Sequence, residues 1–555
     1  MESFNFTPEK MTFGQIFKSI SLGQWRFVAL VSLILIILTS IPIIYGWLVT
    51  PAGQVFTGMH FVSADDWFVY YSFINQAKAG KIFFRDLFAP VDHQAIFRPE
   101  WLAAGLLARF FKLPVLAAFQ LFRLLLIPIF LALLYLVISY YFKEKQRRLS
   151  FIFLIFSSGL GTIFLYRLVK YPFNYFNGSF RWPMDLWVPD LNNFYLLYTS
   201  PHFILSAIFL FLIFFLAILF SETKKYSYAL WSGVFGAVLF LIHPFQVIKV
   251  FLILATFFLL LFIKDQKFFW PGLKFFLTFL FLSLPAIFYY FWLWQTDWLT
   301  GQRIRQNINP TTPLYLTVFS FGGLLVGTII GIYFLVKTKK ITENKYIFLI
   351  IWIIGQLLIL YAPINYQRRT GLGFHLPLGI LTLFAIFYFY ERCQLTFKKN
   401  QFIFGVIAGL IFLPSTIFVL AADLMVYEQG RELSYLDLDI YQSFLWLKDN
   451  VAPSSIILSA VKTGNVLPAY ALRTSYVGHA VETPGYIDKK KEVNDFFANR
   501  LSRERELEFL RERRINYIFY GDEEKKIGDY QPTVKDYLKE VYQRAGVGIY
   551  QVTTK

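Results

Sequence analysis

Two adjacent carboxylates, Asp65 and Asp66, stand in the run His60-Phe61-Val62-Ser63-Ala64-Asp65-Asp66-Trp67-Phe68-Val69-Tyr70-Tyr71, just past the first long apolar segment. Carboxylates so placed could act as a general base toward an acceptor hydroxyl or amine, or hold a divalent cation. Tyr70, Phe73, Ile74 and Ala77 recur at helical spacing. Ala64 to Lys78 therefore reads as an amphipathic helix lying along a membrane surface, with both acids at its N-terminus. A plain structural reading competes: Ser63-x-x-Asp66 has the spacing of a capping box. A cap accounts for Asp66 and leaves Asp65 unexplained.

Further ionisable residues collect in segments that the apolar pattern places on the same side. The loop 170–198 holds Asp185 and Asp190, and His202 follows at the mouth of the next apolar run. His243 lies in a tight turn between two apolar runs, with Gln246 and Lys249 after it, and the pairs Arg303/Arg305 and Arg368/Arg369 fall in two later loops. Each has a structural alternative. The histidines adjoin prolines at helix ends, Asp185 could pair with Arg181, Asp190 could belong to a cap with Asn192 and Asn193, and the arginines could snorkel to the interface. Taken together they suit another task, because arginine presents a planar fork of donors to phosphate and never loses its charge. Acids and phosphate-binding arginines facing one outer cavity suit a sugar donor carried on a lipid phosphate, with arginine stabilising the departing phosphate.

The elements that must position these residues are membrane spans. The chain has 555 residues, is 57% hydrophobic and 20% aromatic, with a mean hydropathy of +0.52. Its apolar runs repeatedly exceed the roughly 20 residues a helix needs to cross a bilayer. About eleven spans are expected, at about 27–48, 118–142, 149–169, 200–220, 227–244, 246–263, 272–293, 314–336, 346–362, 374–390 and 402–421. Pro99 to Phe111 is too short to cross and reads as a surface or re-entrant helix. The net charge of +18 sits largely in short loops such as Lys143–Arg148, Lys224-Lys225 and Lys337–Lys340, where it marks the cytoplasmic side. The N-terminal segment 1–26 is then cytoplasmic, in a plasma or inner membrane, and the first outer loop is 49–117. The single cysteine, Cys393, excludes an internal disulfide.

Composition changes near Asp423. From there to Lys555 the chain is charged and of ordinary hydropathy, which predicts an extracytoplasmic α/β domain with a mainly parallel sheet. Helices are expected at Tyr441–Asp449, Gly464–Ala471, Leu501–Arg514 and Val534–Ala545, and strands at Ser455–Ala460, Asn516–Tyr520 and Val547–Val552. It contains no Gly-x-Gly-x-x-Gly or Walker sequence, and a lid or binding accessory is the expectation.

The order of features resembles the GT-C class of polytopic glycosyltransferases, which use polyprenyl-phosphate-linked sugars. The residues that carry the likeness are Ala64-Asp65-Asp66-Trp67-Phe68-Val69-Tyr70, Phe97-Arg98-Pro99-Glu100-Trp101-Leu102, and the span from Phe122-Arg123-Leu124 to Arg148. The tail, with Phe444-Leu445-Trp446-Leu447-Lys448-Asp449-Asn450 and Gly478-His479-Ala480, is similar to outer domains of bacterial and archaeal members. The resemblance implies Asp65 or Asp66 as the catalytic carboxylate, Asp66 being favoured by its helical spacing from Tyr70. It implies that Arg368 or Arg369 meets the donor phosphate and that Asp185 or Asp190 forms a second acidic site. It leaves a divalent metal on Asp65 and Asp66 open, since members differ in that respect.

The resulting expectation is a membrane glycosyltransferase moving a sugar from a polyprenyl-phosphate-linked donor to an extracytoplasmic acceptor, a cell-envelope glycan, lipid or protein, with no nucleic acid partner. Asp66 and Asp65 are the catalytic candidates. Arg368, Arg369, Asp185, Asp190, His202, His243, Arg303 and Arg305 are the substrate-binding ones. A transporter or flippase of lipid-linked glycans is one rival, and it predicts repeats and broken helices at mid-membrane. A non-enzymatic envelope assembly protein is the other, and it predicts that the acids can be changed without loss of function.

Overall fold

The computed structural model describes residues 11–61, 64–166, 175–176, 179–180, 182–392, 401–430 and 433–553. The chain is an integral membrane protein, and the expected spans coincide at least in part with described helices; residues 167–169 of the expected 149–169 span lie outside the described residues. Among the described residues, seven helices are long and apolar enough to cross a bilayer: Leu22–Leu48, Val115–Tyr141, Glu144–Phe164, Pro201–Thr223, Gln246–Lys264, Gln266–Thr296 and Leu314–Lys337. The pair Gly405–Phe412 and Pro414–Glu428, bent by 58°, makes an eighth if it is one span. Ser227–Ile242 and Asn344–Leu360 are apolar but shorter, and His375–Arg392 is a further buried helix.

The chain groups into two compact units. The first comprises Met1–Ile41, Arg123–Phe291 and Ile308–Ala422, and the second Pro42–Phe122, Trp292–Asn307 and Asp423–Lys555. In the first, the Pro201–Thr223 helix is covered along most of its length. Arg123, buried within a span, donates to Thr39 Oγ1 and to the Leu197 carbonyl, both at 3.0 Å. A charge at such depth persists because its donors are satisfied by protein.

In the second unit the Ala64–Lys78 helix forms with the expected bounds, but its setting differs from a helix resting on lipid. Trp67, Phe68, Val69, Tyr71, Phe73 and Ile74 are all buried. The Pro99–Phe110 helix packs on one side, with Trp101 stacked on Tyr70 at 4.5 Å. Gly105 permits this approach, because a Cβ there would stand 2.1 Å from the Ala77 Cβ. On another side the Val461–Ala471 helix is joined to it by Asn75 Nδ2 donating to the Ala469 carbonyl at 2.7 Å. The apolar stripe thus meets protein on both sides.

The C-terminal part holds a five-stranded sheet in the order Leu538–Arg544, Val547–Val552, Ile515–Tyr520, Ile456–Leu458, Thr474–Ser475. Ile456–Leu458 runs parallel to both neighbours, but Val547–Val552 is antiparallel to both of its own. The sheet is mixed rather than mainly parallel. The region expected as a Val534–Ala545 helix is the edge strand Leu538–Arg544, and a helix not expected from sequence spans Tyr486–Phe497. Phe496, Phe497 and Tyr530 pack with Leu458 and Ile518 in the core. The short strand Gln54–Phe56 of the first loop pairs antiparallel with Tyr435–Asp437, so loop and tail fold as one body.

Candidate active site

Asp65 and Asp66 open the Ala64–Lys78 helix, where a helix dipole favours negative charge. Ser63, the proposed capping partner, lies outside the described residues. Both carboxylates turn instead to the C-terminal part of their own unit. Asn465 Nδ2 donates to Asp65 Oδ1 at 3.3 Å, and His479 Nε2 lies 3.1 Å from Asp66 Oδ1. The amides of Val481 and Glu482 point at His479 Nδ1, at 3.3 and 3.2 Å. Nδ1 therefore accepts, and the ring proton sits on Nε2 and is donated to Asp66. Burial pulls the His479 pKa down, but the hydrogen bond and charge of Asp66, with Glu482 and Asp65, outweigh it, so the net shift is upward. Asp65 borders a cavity of about 440 Å³ that Asn465, Tyr486, Lys490 and Asn494 also line. Desolvation raises its carboxyl pKa, opposed by His479 and assisted by Asp66.

Two buried clusters brace this pair within the second unit. His60 Nδ1 pairs with Asp423, which also accepts from the Phe61 amide at 2.6 Å, and the His60 ring lies 4.7 Å from Trp67. Arg303 pairs with Asp86 and, at 2.5 Å, with Glu482. Burial pushes the Asp86 carboxyl up, against the pull of Arg303. Arg303, expected to meet substrate, is thus held by two carboxylates, while Arg305 is exposed to solvent.

The other candidates lie in the first unit. Asp190 is buried, and Arg369, Lys249 and Arg368 act on it electrostatically; burial nevertheless carries its carboxyl up to about 6. Lys249 Nζ donates to the carbonyls of Thr370 and Leu372 at 2.9 and 2.8 Å, and Gln246 Nε2 donates to the Arg369 carbonyl at 2.8 Å. These bonds fix the 368–372 segment. Arg368 donates to Asn309 Oδ1 and stacks over Trp187, its guanidinium carbon 4.4 Å from the ring centroid. Two guanidiniums beside one carboxylate leave an excess of positive charge, the environment a phosphate would neutralise. His202 and His243 are brought together, rings 5.2 Å apart, with Ser200 Oγ 2.6 Å from His202 Nδ1.

No protein-family model matches the sequence, and no curated protein matches it either. Among solved structures, the chain is similar to the Archaeoglobus fulgidus oligosaccharyltransferase crystallised with a tethered acceptor peptide containing the NVT sequon. The TM-score is 0.53 at 13% identity, over 88% of this chain and 69% of that one. It is also similar to ArnT from Cupriavidus metallidurans bound to undecaprenyl phosphate, with a TM-score of 0.50 and 10% identity over 96% of this chain and 98% of that one. The fold is that of the GT-C glycosyltransferases.

In this GT-C fold Asp185 is set apart from the Asp190 group's arginines by its partners. Its Oδ2 accepts from the Gly161 amide at 2.9 Å and from Ser415 Oγ. A Cβ on Gly159 or Gly161 would stand only 2.5 or 2.3 Å from the carboxylate oxygens. Its possible partner Arg181 lies outside the described residues, as does Cys393. Among the described residues no three His, Cys, Asp or Glu side chains are grouped to hold a metal ion. Asp65 and Asp66 alone do not make a complete protein ligand set. Sequence reasoning gave no role to His479, Asn465 or Asp423. His479 stood in the Gly478-His479-Ala480 stretch of the resemblance without a role attached, and the partners of all three lie hundreds of positions away.

Proposed function

We propose that the protein transfers a sugar from a polyprenyl-phosphate-linked donor to an acceptor outside the cytoplasm, with the second unit on that side of the membrane. The reading is carried by Asp66, a carboxylate at a helix N-terminus whose Oδ1 is held by the Nε2–H of a buried histidine. A base fixed in this way is oriented before substrate arrives. The GT-C fold supports it, and the two solved relatives carry an acceptor peptide and undecaprenyl phosphate respectively. Asp66 takes the acceptor proton as the acceptor oxygen or nitrogen attacks the anomeric carbon. The bond from that carbon to the phosphate oxygen breaks, and its electron pair leaves with the lipid phosphate. Within the first unit, Arg368 and Arg369, which act electrostatically on Asp190, are the candidates for holding such a phosphate. His479 is a positioning residue.

The test is sugar transfer by the purified full chain from a radiolabelled polyprenyl-phosphate sugar, comparing wild type with Asp66→Asn and His479→Gln. Asp66→Asn is expected to lower the rate by about 100-fold or more, the usual weight of a general base. His479→Gln, which can still donate to Asp66, is expected to fall less and to change kcat more than KM. Transfer by Asp66→Asn at the wild-type rate, in protein that elutes as wild type does, would remove Asp66 from the mechanism.

A further inference from the structure

The far end of the acid-bearing helix borders a second opening. A groove of about 1020 Å³ lies within the second unit, where the Leu22–Leu48 helix ends and the Val115–Tyr141 helix begins. Both helices have 27 residues, more than the roughly 20 that a bilayer core requires, so their ends here emerge at the lipid–water boundary. The floor of the groove is apolar, with Ile43, Ile44 and Trp47 from one helix and Val115 and Leu116 from the other. Ile44 and Trp47 are 54% and 66% exposed, so the groove opens sideways toward lipid.

Its rim is basic. Lys78, Lys112 and Lys448 line it, and among the described residues that do so none is acidic. They come from three separate segments: the end of the Ala64–Lys78 helix, the turn before Val115, and the Leu438–Asn450 helix. Lys78 Nζ donates to the Leu113 carbonyl at 2.7 Å, which holds it at the level where the second span starts. Three cations above an apolar trough match a molecule that is anionic at one end and hydrocarbon at the other.

We propose that this groove binds a lipid whose phosphate headgroup is net anionic, its chain along Ile43, Trp47 and Leu116 and its phosphate among Lys78, Lys112 and Lys448. The site is separate from the proposed reaction centre. Lys78 stands twelve positions along the helix from Asp66, about 18 Å at 1.5 Å per residue. It stands whether or not the transferase reading does.

The experiment uses the full chain in phosphatidylcholine nanodiscs doped with a photoactivatable phosphatidylglycerol or a photoactivatable phosphatidylcholine of the same chains. Peptide mapping is expected to find phosphatidylglycerol adducts in 43–56 and 112–120, in excess over phosphatidylcholine by about five-fold or more, the weight of a single surface lysine. The double charge reversal Lys112→Glu/Lys448→Glu should abolish that excess, and Lys112→Arg/Lys448→Arg should keep it. Arg368→Gln/Arg369→Gln should leave it unchanged, which separates this site from the arginines proposed for the donor phosphate. Equal labelling by the two lipids, or labelling indifferent to charge reversal, overturns the proposal. Loss of labelling on addition of inorganic phosphate, at about a hundred-fold excess over the probe, also overturns it, since the site would then select a soluble anion.

Discussion

Asp185 shows how a single buried acid can be read from its partners. One carboxyl oxygen accepts both the Gly161 amide and Ser415 Oγ, and the other has no hydrogen-bond partner among the described residues. Burial pushes this carboxyl up to about 7, against Ser415 and Gly161, which pull it down. The native state therefore holds its proton more tightly than the unfolded chain, whose aspartate ordinarily titrates near 3.9. Stability from this group is present at low pH and is lost as pH rises toward 7. Asp185→Asn can put its amide oxygen where both donors point and its NH2 where the unpartnered oxygen was. The expected outcome is a melting temperature that declines less between pH 5 and pH 7 than in wild type. Asp185→Ala strands two buried donors and should cost about 1–3 kcal/mol at any pH. Equal pH slopes for wild type and Asp185→Asn would refute the account. In the sequence Asp185 and Asp190 look interchangeable, two acids in one Trp- and Pro-rich loop. Tertiary neighbours separate them: glycines and a serine for one, arginines and a lysine for the other.

At the scale of elements, what the sequence made legible was whatever repeats locally. The Ala64–Lys78 and Pro99–Phe110 helices and the apolar spans follow from periodicity and run length. The Leu538–Arg544 strand did not, because Val534, Tyr537, Leu538, Val541 and Tyr542 fall at helical spacing among good helix formers. An edge strand with one solvated side tolerates such residues, and its ladder is supplied by Val547–Val552, beyond the reach of a local pattern. Arg303 is the matching case for the Trp298–Gln306 helix. The sequence offered Arg303 and Arg305 as equals, but Arg303 alone faces Asp86, 1% exposed, and Glu482, 22% exposed. Arg303→Ala is expected to destabilise the protein by about 3 kcal/mol, the lower end for breaking a buried ion pair, because Glu482 keeps some solvent. Arg305→Ala should change stability by less than about 0.5 kcal/mol. Thermal unfolding of the two variants side by side checks this, and equal losses would mean that the Asp86–Arg303–Glu482 cluster does not brace the unit.

For the whole molecule, the consequential feature is that residues 423–555 fold with the first loop in the second unit and contribute hydrogen bonds to both of its acids. His479, 413 positions from Asp66 along the chain, supplies that acid's partner, and Asn465 supplies that of Asp65. The Ser475 amide donates to the Leu87 carbonyl at 2.9 Å, and Thr483 Oγ1 to the Phe88 carbonyl at 3.0 Å. Tyr435–Asp437 pairs the otherwise isolated strand Gln54–Phe56. Removing the tail would uncover the apolar side chains of the Ala64–Lys78 helix together with these unsatisfied backbone groups, each a cost of about 1–3 kcal/mol when left without a partner. A chain ending at Gln429 is therefore expected to be cut by protease within residues 64–110 under conditions that spare the full-length protein. It should also lose sugar transfer without recovering it when the separate tail is added, since a discontinuous unit has to fold in one chain. A truncated protein that elutes as a single species, with its first loop as protected as in wild type, would instead make the tail the accessory that its composition suggests.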